Sequence, residues 1–324
     1  MPKESVAALV ARLRPGYRLA RAGRVVDDTG QFMDIIQGDV LRLAGRHYLV
    51  FKDAVERRFG YTDPKFWVKK CLELETGARA IVKLVFQESF PLRVGTVSTT
   101  CFRSPAKEAR VLDVVRGDAR FMQGFATRDT AGNLVRVIET VSGVSIENTV
   151  AALDMPHADY FRDLFPNLLA RFTGACRAIA WLHSQGELHG DVGRDHLWIE
   201  HKTAAMRWID FDYAYEAYEN PFGMDLSGLG DILVFLAGQG VHTIAGMRES
   251  GLPESLLDTL APDDFSLVHG NRLANLAKIS PYIPERLNRI LLHFAAASDV
   301  LYESVDELLA DLTPVVQEMG GGLI

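Results

Sequence analysis

Two carboxylates frame a short apolar hairpin near the middle of the chain. Asp191 lies in Leu188-His189-Gly190-Asp191-Val192-Gly193-Arg194-Asp195-His196, just ahead of the apolar run Leu197 to Ile199. Asp210 follows a second apolar run, Met206 to Ile209, in Ile209-Asp210-Phe211-Asp212. The polar turn Glu200 to Thr203 between the runs makes the whole segment read as a β-hairpin with an acid at each open end. Two such acids suit a metal–phosphate site. One can orient or deprotonate an attacking hydroxyl, and the other can hold the cation that neutralises phosphate charge. Lys83 and Glu108 are less telling alone: a lysine in a strand is commonly a solvated residue, and Glu108 has Lys107 and Arg110 beside it like any surface helix residue.

The elements that must position these groups follow from periodicity. Val6, Leu9, Val10 and Leu13 suggest a short amphipathic helix, and the remaining residues to 45 are turn-rich. His47 to Phe51, Phe66 to Leu74 and Arg79 to Phe86 read as strands of an antiparallel meander, with Glu75-Thr76-Gly77 as a turn. Ser104 as N-cap and Pro105 in the first turn predict a helix to about Arg116. Val135 to Val141 returns to strand. Leu164, Leu168, Phe172 and Ile179 mark a long helix ending near Gly186, and Leu226, Leu229, Leu233 and Leu236 mark another after Asp225. A capping box, Ser304 and Glu307, opens a last helix that Pro314 is expected to end. Three parts result: an N-terminal extension (1–45), a strand-rich part (46–141) and a helical part (142–324), with a hinge candidate near 141–147.

These pieces, in this order, resemble the protein-kinase-like superfamily over roughly residues 45 to 313. Trp181-Leu182-His183-Ser184-Gln185-Gly186-Glu187-Leu188-His189-Gly190-Asp191 is similar to the helix end and catalytic loop of that family. Asp191 falls on its catalytic aspartate, His196 on its metal-binding Asn, and Asp210 on the acid of its Asp-Phe-Gly motif, here Asp-Phe-Asp. Asp225-Leu226-Ser227-Gly228-Leu229-Gly230 resembles the start of the family's buried helix, whose Asp bonds the catalytic-loop backbone. Ala80-Ile81-Val82-Lys83 resembles the Val-Ala-Ile-Lys strand, so Lys83 would contact nucleotide phosphates with Glu108 as its partner. Ile138-Glu139-Thr140-Val141 looks like the hinge, whose backbone would bond adenine. Tyr302 to Leu309 resembles the closing helix of bacterial Ser/Thr protein kinases.

The resemblance implies an α+β, bilobal protein-kinase-like fold with a small antiparallel-sheet N-lobe and a larger helical C-lobe. It implies ATP and Mg2+ or Mn2+ as cofactors, and transfer of the γ-phosphate to a hydroxyl, as in an atypical Ser/Thr protein kinase. In that reading Asp191, Lys83, Glu108 and Arg194 are catalytic; Lys83, Glu139, Val141 and Gly60 bind the nucleotide; Asp210, His196 and Asp212 hold metal. A small-molecule kinase, a non-catalytic pseudokinase binding module and a nucleotidyl transferase are the other readings.

Departures from the family pattern narrow the choice. Only Gly60 stands where a Gly-x-Gly-x-x-Gly loop belongs, leaving Arg57, Arg58 or Lys65 to grip phosphate. Gly190 replaces the Arg that commonly reads a phosphorylated activation loop, a form shared with small-molecule kinases. The stretch from Asp210 to Asp225 has no room for a full activation loop. His196 for Asn shifts metal preference toward manganese. Arg194, taken as exposed in the loop, is either a phosphate contact or a solvated charge, and His189 a structural hydrogen-bonder.

Bulk properties set the outer limits. The chain has 324 residues, 48% of them apolar, with a net charge of −7. The length suits two lobes, and the acidic balance argues against a nucleic-acid partner. The three cysteines are far apart, so reduced thiols and a cytoplasmic setting are expected. No segment reads as a signal peptide or membrane span. The expected partners are therefore ATP and a protein or small-molecule acceptor, with no nucleic acid and no membrane.

Overall fold

The computed structural model describes residues 5–58, 61–94, 97–216, 220–298 and 300–320. The chain is a mixed α+β protein that divides into two units, 1–88 with 103–141 and 89–102 with 142–324. Among the described residues no helix is long and apolar enough to cross a membrane.

The first unit is built on a seven-stranded sheet. Its strands are β1 (Val25–Val26), β2 (Val40–Leu43), β3 (Arg46–Arg58), β4 (Tyr61–Glu73), β5 (Arg79–Lys83), β8 (Gly124–Arg128) and β9 (Leu134–Glu139), in the order β1-β2-β3-β4-β5-β9-β8. Only β1 and β2 run parallel; every other neighbouring pair is antiparallel. Alternation of side chains along the strands sends them to two cores. Leu41, Leu43, Tyr48, Val50, Cys71 and Val82 pack in one. Val40, Leu49, Leu72 and Leu74 pack in the other, against Val6, Leu9 and Val10 of helix α1 (Val6–Leu13). The N-terminal extension is therefore part of this unit: α1 covers one sheet face, and β1 and β2 extend its edge. Helix α2 (Pro105–Val114) starts as its sequence predicts, the Ser104 hydroxyl accepting from the Lys107 amide, with Pro105 in the first turn.

The second unit holds the remaining elements. A three-stranded sheet, β10 (Gly143–Ser145), β11 (Leu197–Glu200) and β12 (Met206–Trp208), contains the hairpin anticipated from the sequence, with Leu197 opposite Trp208 and Ile199 opposite Met206. A second sheet, in the order β13-β7-β6, joins β6 (Ser89–Val94) and β7 (Val97–Arg103) to β13 (Tyr213–Tyr215). The sequence does not announce the β6–β7 hairpin. Pro91 argues against a strand, and it is tolerated because β6 lies at the sheet edge. The helices are α3 (Ile146–Ala151), α4 (His157–Asp163), α5 (Phe165–Ser184), α6 (Gly223–Ala237), α7 (Ile244–Glu249), α8 (Glu254–Leu257), α9 (Glu285–Leu292) and α10 (Val305–Glu318).

Two expectations about helices fail. Leu164 is the N-cap of α5 and is 37% exposed, not part of its apolar face. The cause is the short helix α4, whose last turn already bonds the Leu164 amide to the Tyr160 carbonyl. Pro314 lies inside α10 and does not end it. Burial of Leu312, Val315 and Val316 offsets the backbone bond that a helical proline forfeits. None of the three cysteines forms a disulfide, and all three are buried.

A buried carboxylate ties the N-terminal extension to the sheet. Asp129, in the turn between β8 and β9, accepts from the Thr29 amide (2.6 Å) and hydroxyl (2.7 Å), and from the Asn133 side chain (2.9 Å). Burial opposes its charge, but the bonds from Asn133 and Thr29 outweigh it and hold the carboxyl below its ordinary value. A group with a lowered folded-state pKa stabilises fully above the unfolded value, and loses that contribution as pH falls through the folded one. Asp129→Asn is expected to cost about 1.5–3 kcal/mol at neutral pH. In urea titrations across pH, the gap from the wild type should close as pH falls below roughly 4.

Candidate functional site

Asp191, Asp195 and Asp210 lie in the second unit, around one imidazole. The His196 Nδ1 donates to the Asp191 carbonyl (2.9 Å) and lies 3.4 Å from an Asp191 carboxylate oxygen. Its Nε2 lies 3.6 Å from Asp195 and 3.8 Å from Asp210. Burial of the ring disfavours its charge, yet Asp191, Asp195 and Asp210 together outweigh this and raise its pKa to about 9. Burial also raises the Asp191 carboxyl, to about 7, with His196 pulling it down and Asp210 and Asp212 pushing it up. An imidazolium at neutral pH therefore sits where the acids demand positive charge. Nδ1 is committed to the backbone, so Nε2 is the nitrogen that could ligate a metal once deprotonated.

The loop that carries Asp191 is fixed by a second acid. Asp225, at the start of α6 and fully buried, accepts from the His189 amide (2.7 Å), the Gly190 amide (2.8 Å) and the His183 Nε2 (2.9 Å). This is the backbone contact expected of Asp225. His189 is buried, its Nδ1 accepts from the Asp191 amide (3.2 Å), and its ring meets Trp208 and Phe211 edge-on. That is the structural role anticipated for it. Gly228 has a matching reason: a Cβ there would collide with the Val192 carbonyl, so the glycine lets α6 approach the loop.

Asp210 has φ +63°, a left-handed conformation that Asp tolerates better than most residues. Asp212 is buried, with Phe211 completely buried beside it. Arg194 does not stand exposed as expected. Its guanidinium lies 3.2 Å from Asp231 on α6, 3.7 Å from Glu147 and 4.7 Å from the centre of the Phe235 ring. Those partners account for the charge and leave Arg194 as a brace between the loop and α6.

The other predicted residues lie in the first unit. The Lys83 Nζ is 2.7 Å from one Glu108 oxygen, and Arg136 Nε is 3.0 Å from the other. All three are buried. Arg136, directly across from Lys83 on β9, was missed; its signal is a lone charge inside Leu134-Val135-Arg136-Val137-Ile138. Glu139 uses its side chain to accept from the Gln123 amide (2.8 Å), and Val141 is buried at the end of the unit. Lys65 pairs with Glu56 (3.0 Å). Gly60 and the side chains of Arg57 and Arg58 lie outside the described residues.

No family model matches the chain, and no curated protein matches it.

The Lys83–Glu108–Arg136 cluster makes an asymmetric prediction. Glu108→Gln removes the charge that two buried cations share and should cost about 3–5 kcal/mol. Lys83→Met should cost less, because Arg136 still neutralises Glu108. Urea unfolding of the two variants checks the order; equal losses would mean that Arg136 does not share the carboxylate.

Proposed function

We propose that the chain is an ATP- and divalent-metal-dependent phosphotransferase with a bilobal protein-kinase-like fold, acting on a Ser/Thr hydroxyl of a protein. The observation that carries this reading is the grouping of Asp191 and Asp210 around His196, on a loop anchored by Asp225. Packing alone does not call for three carboxylates round one half-buried ring, whereas phosphoryl transfer needs acids that hold a cation and orient a hydroxyl. The buried Lys83, held by Glu108, supports the same reading as a phosphate ligand.

The carboxylate oxygens around His196 are donors of the kind that Mg2+ or Mn2+ takes. The His196 imidazolium already stands in for a cation among the acids, and carboxylates with one imidazole form an acceptable site for such an ion. Asp210, His196 and Asp212 would hold it. A bound metal would neutralise phosphate charge as the γ-phosphoryl group leaves ATP. Asp191 would orient the acceptor hydroxyl and take its proton, which its raised pKa suits.

A small-molecule acceptor is the second reading. A cavity of about 340 Å³ in the second unit, lined by Leu226, Asp231, Phe235, Arg272, Phe294 and Tyr302, is large enough for a compact ligand.

Incubation with γ- and α-labelled ATP and either metal tests the proposal, beside Asp191→Ala and Asp210→Ala. Transfer of γ-label or ATP hydrolysis is expected, falling by orders of magnitude in both variants. Transfer of α-label alone would replace the reading with nucleotidyl transfer. Nucleotide binding without turnover, across protein and small-molecule acceptors, would replace it with a pseudokinase.

A further inference from the structure

The segment after Asp212 is too short to hold itself in place, yet the structure ties it down at several points. Strand β13 has only three residues, and a strand of that length needs a partner. Its partner is β7, from a hairpin more than a hundred residues upstream. The Glu216 amide donates to the Thr100 carbonyl (3.1 Å), and Phe90 of β6 meets Tyr213 edge-on at 5.8 Å. From this strand the Tyr215 hydroxyl donates to the Gly190 carbonyl (2.7 Å), one residue from Asp191. Burial pushes the phenol pKa far up, so Tyr215 stays protonated and remains a donor; Cys101 of β7 is hydrogen-bonded to it.

The same contact explains Gly190. Its φ is +81°, and a Cβ there would overlap the Tyr213 carbonyl. No residue with a side chain fits between the loop and β13, so an arginine that senses a phosphate cannot stand at this position. Arg194, the arginine of this loop, is already paired with Asp231.

We propose that the β6–β7 hairpin and Tyr215 form a built-in brace on the Asp191 loop, so that the loop is ordered without phosphorylation of the segment that follows Asp212. Tyr215 is then a positioning residue. It acts on Asp191 through the Gly190 carbonyl, while Asp225 holds the His189 and Gly190 amides of the two preceding peptides. The consequence for regulation rests on the phosphotransferase reading; the brace itself does not.

Hydrogen exchange on the full chain separates the two. The readout is the amides of His189, Gly190 and Asp191, each with a bonding partner in the folded loop. Tyr215→Phe removes one hydroxyl, and Glu216→Pro removes the donor to Thr100. Each should speed exchange at 189–191 about tenfold, the loss of one hydrogen bond, with the amides of α5 unchanged. Phosphatase treatment of the wild type should leave exchange unchanged. Where γ-phosphate transfer is measurable, Tyr215→Phe should lower kcat by a similar factor with KM for ATP unchanged, and phosphatase should not lower it. Wild-type exchange rates in both variants, or a phosphatase effect on exchange or transfer, would overturn the brace. Absence of any transfer by the wild type would remove the phosphotransferase reading and leave the exchange result to decide the brace.

Discussion

The Asp225 carboxylate is the fixed point on which the second unit's chemistry depends. A buried carboxylate is costly unless its oxygens are bonded. Here the donors are two amides of the His189–Gly190 turn and the imidazole of His183 at the end of α5. One charge therefore joins the end of α5, the loop and the start of α6. Helix α6 can serve as the platform because it is apolar nearly all round: Leu226, Leu229, Ile232, Leu233 and Leu236 are all buried. Its glycine at 228 then brings the loop backbone onto the helix.

The clusters around Glu108 and His196 solve opposite problems. In the first unit, Glu108 is shared by Lys83 and Arg136, and the second cation keeps the carboxylate satisfied whatever Lys83 does. In the second unit, acids outnumber the single imidazole, so the cluster draws in protons and is suited to draw in a cation.

The parts of this structure that are legible in the sequence are those with local physical causes. The Ser104–Pro105 cap, the period of α5, the turn at 75–77 and the hairpin around 200–203 all rest on neighbouring residues. Asp191, Asp210 and Asp225 stand out because acids in apolar surroundings need a reason. Tyr215 and the partners of Arg194 do not stand out, and Arg136 shows only as a lone charge in an apolar run. Each acts through a contact with a distant part of the chain, and an arginine in a strand or a tyrosine in a loop carries no mark of the group it will meet. Pro314 misleads for a related reason: local propensity ends the helix, and packing of the residues beyond it continues it.

Asp210 brings the local and the distant causes together. A non-glycine residue with positive φ costs about 1–3 kcal/mol and persists only where its surroundings leave no alternative. On one side the Ile209 amide is fixed to the His196 carbonyl (3.0 Å), which continues the hairpin. On the other, buried Phe211 and the pairing of β13 with β7 fix the chain again. The backbone must reverse between these anchors, and the residue that reverses is the acid itself. Its direction toward His196 is thus set by constraints before and after it. A residue change that leaves the carboxylate in place but loosens β13 would therefore disturb Asp210 as surely as removing it. This is why the upstream hairpin, with no acidic residue in its own strands, belongs to the account of the site.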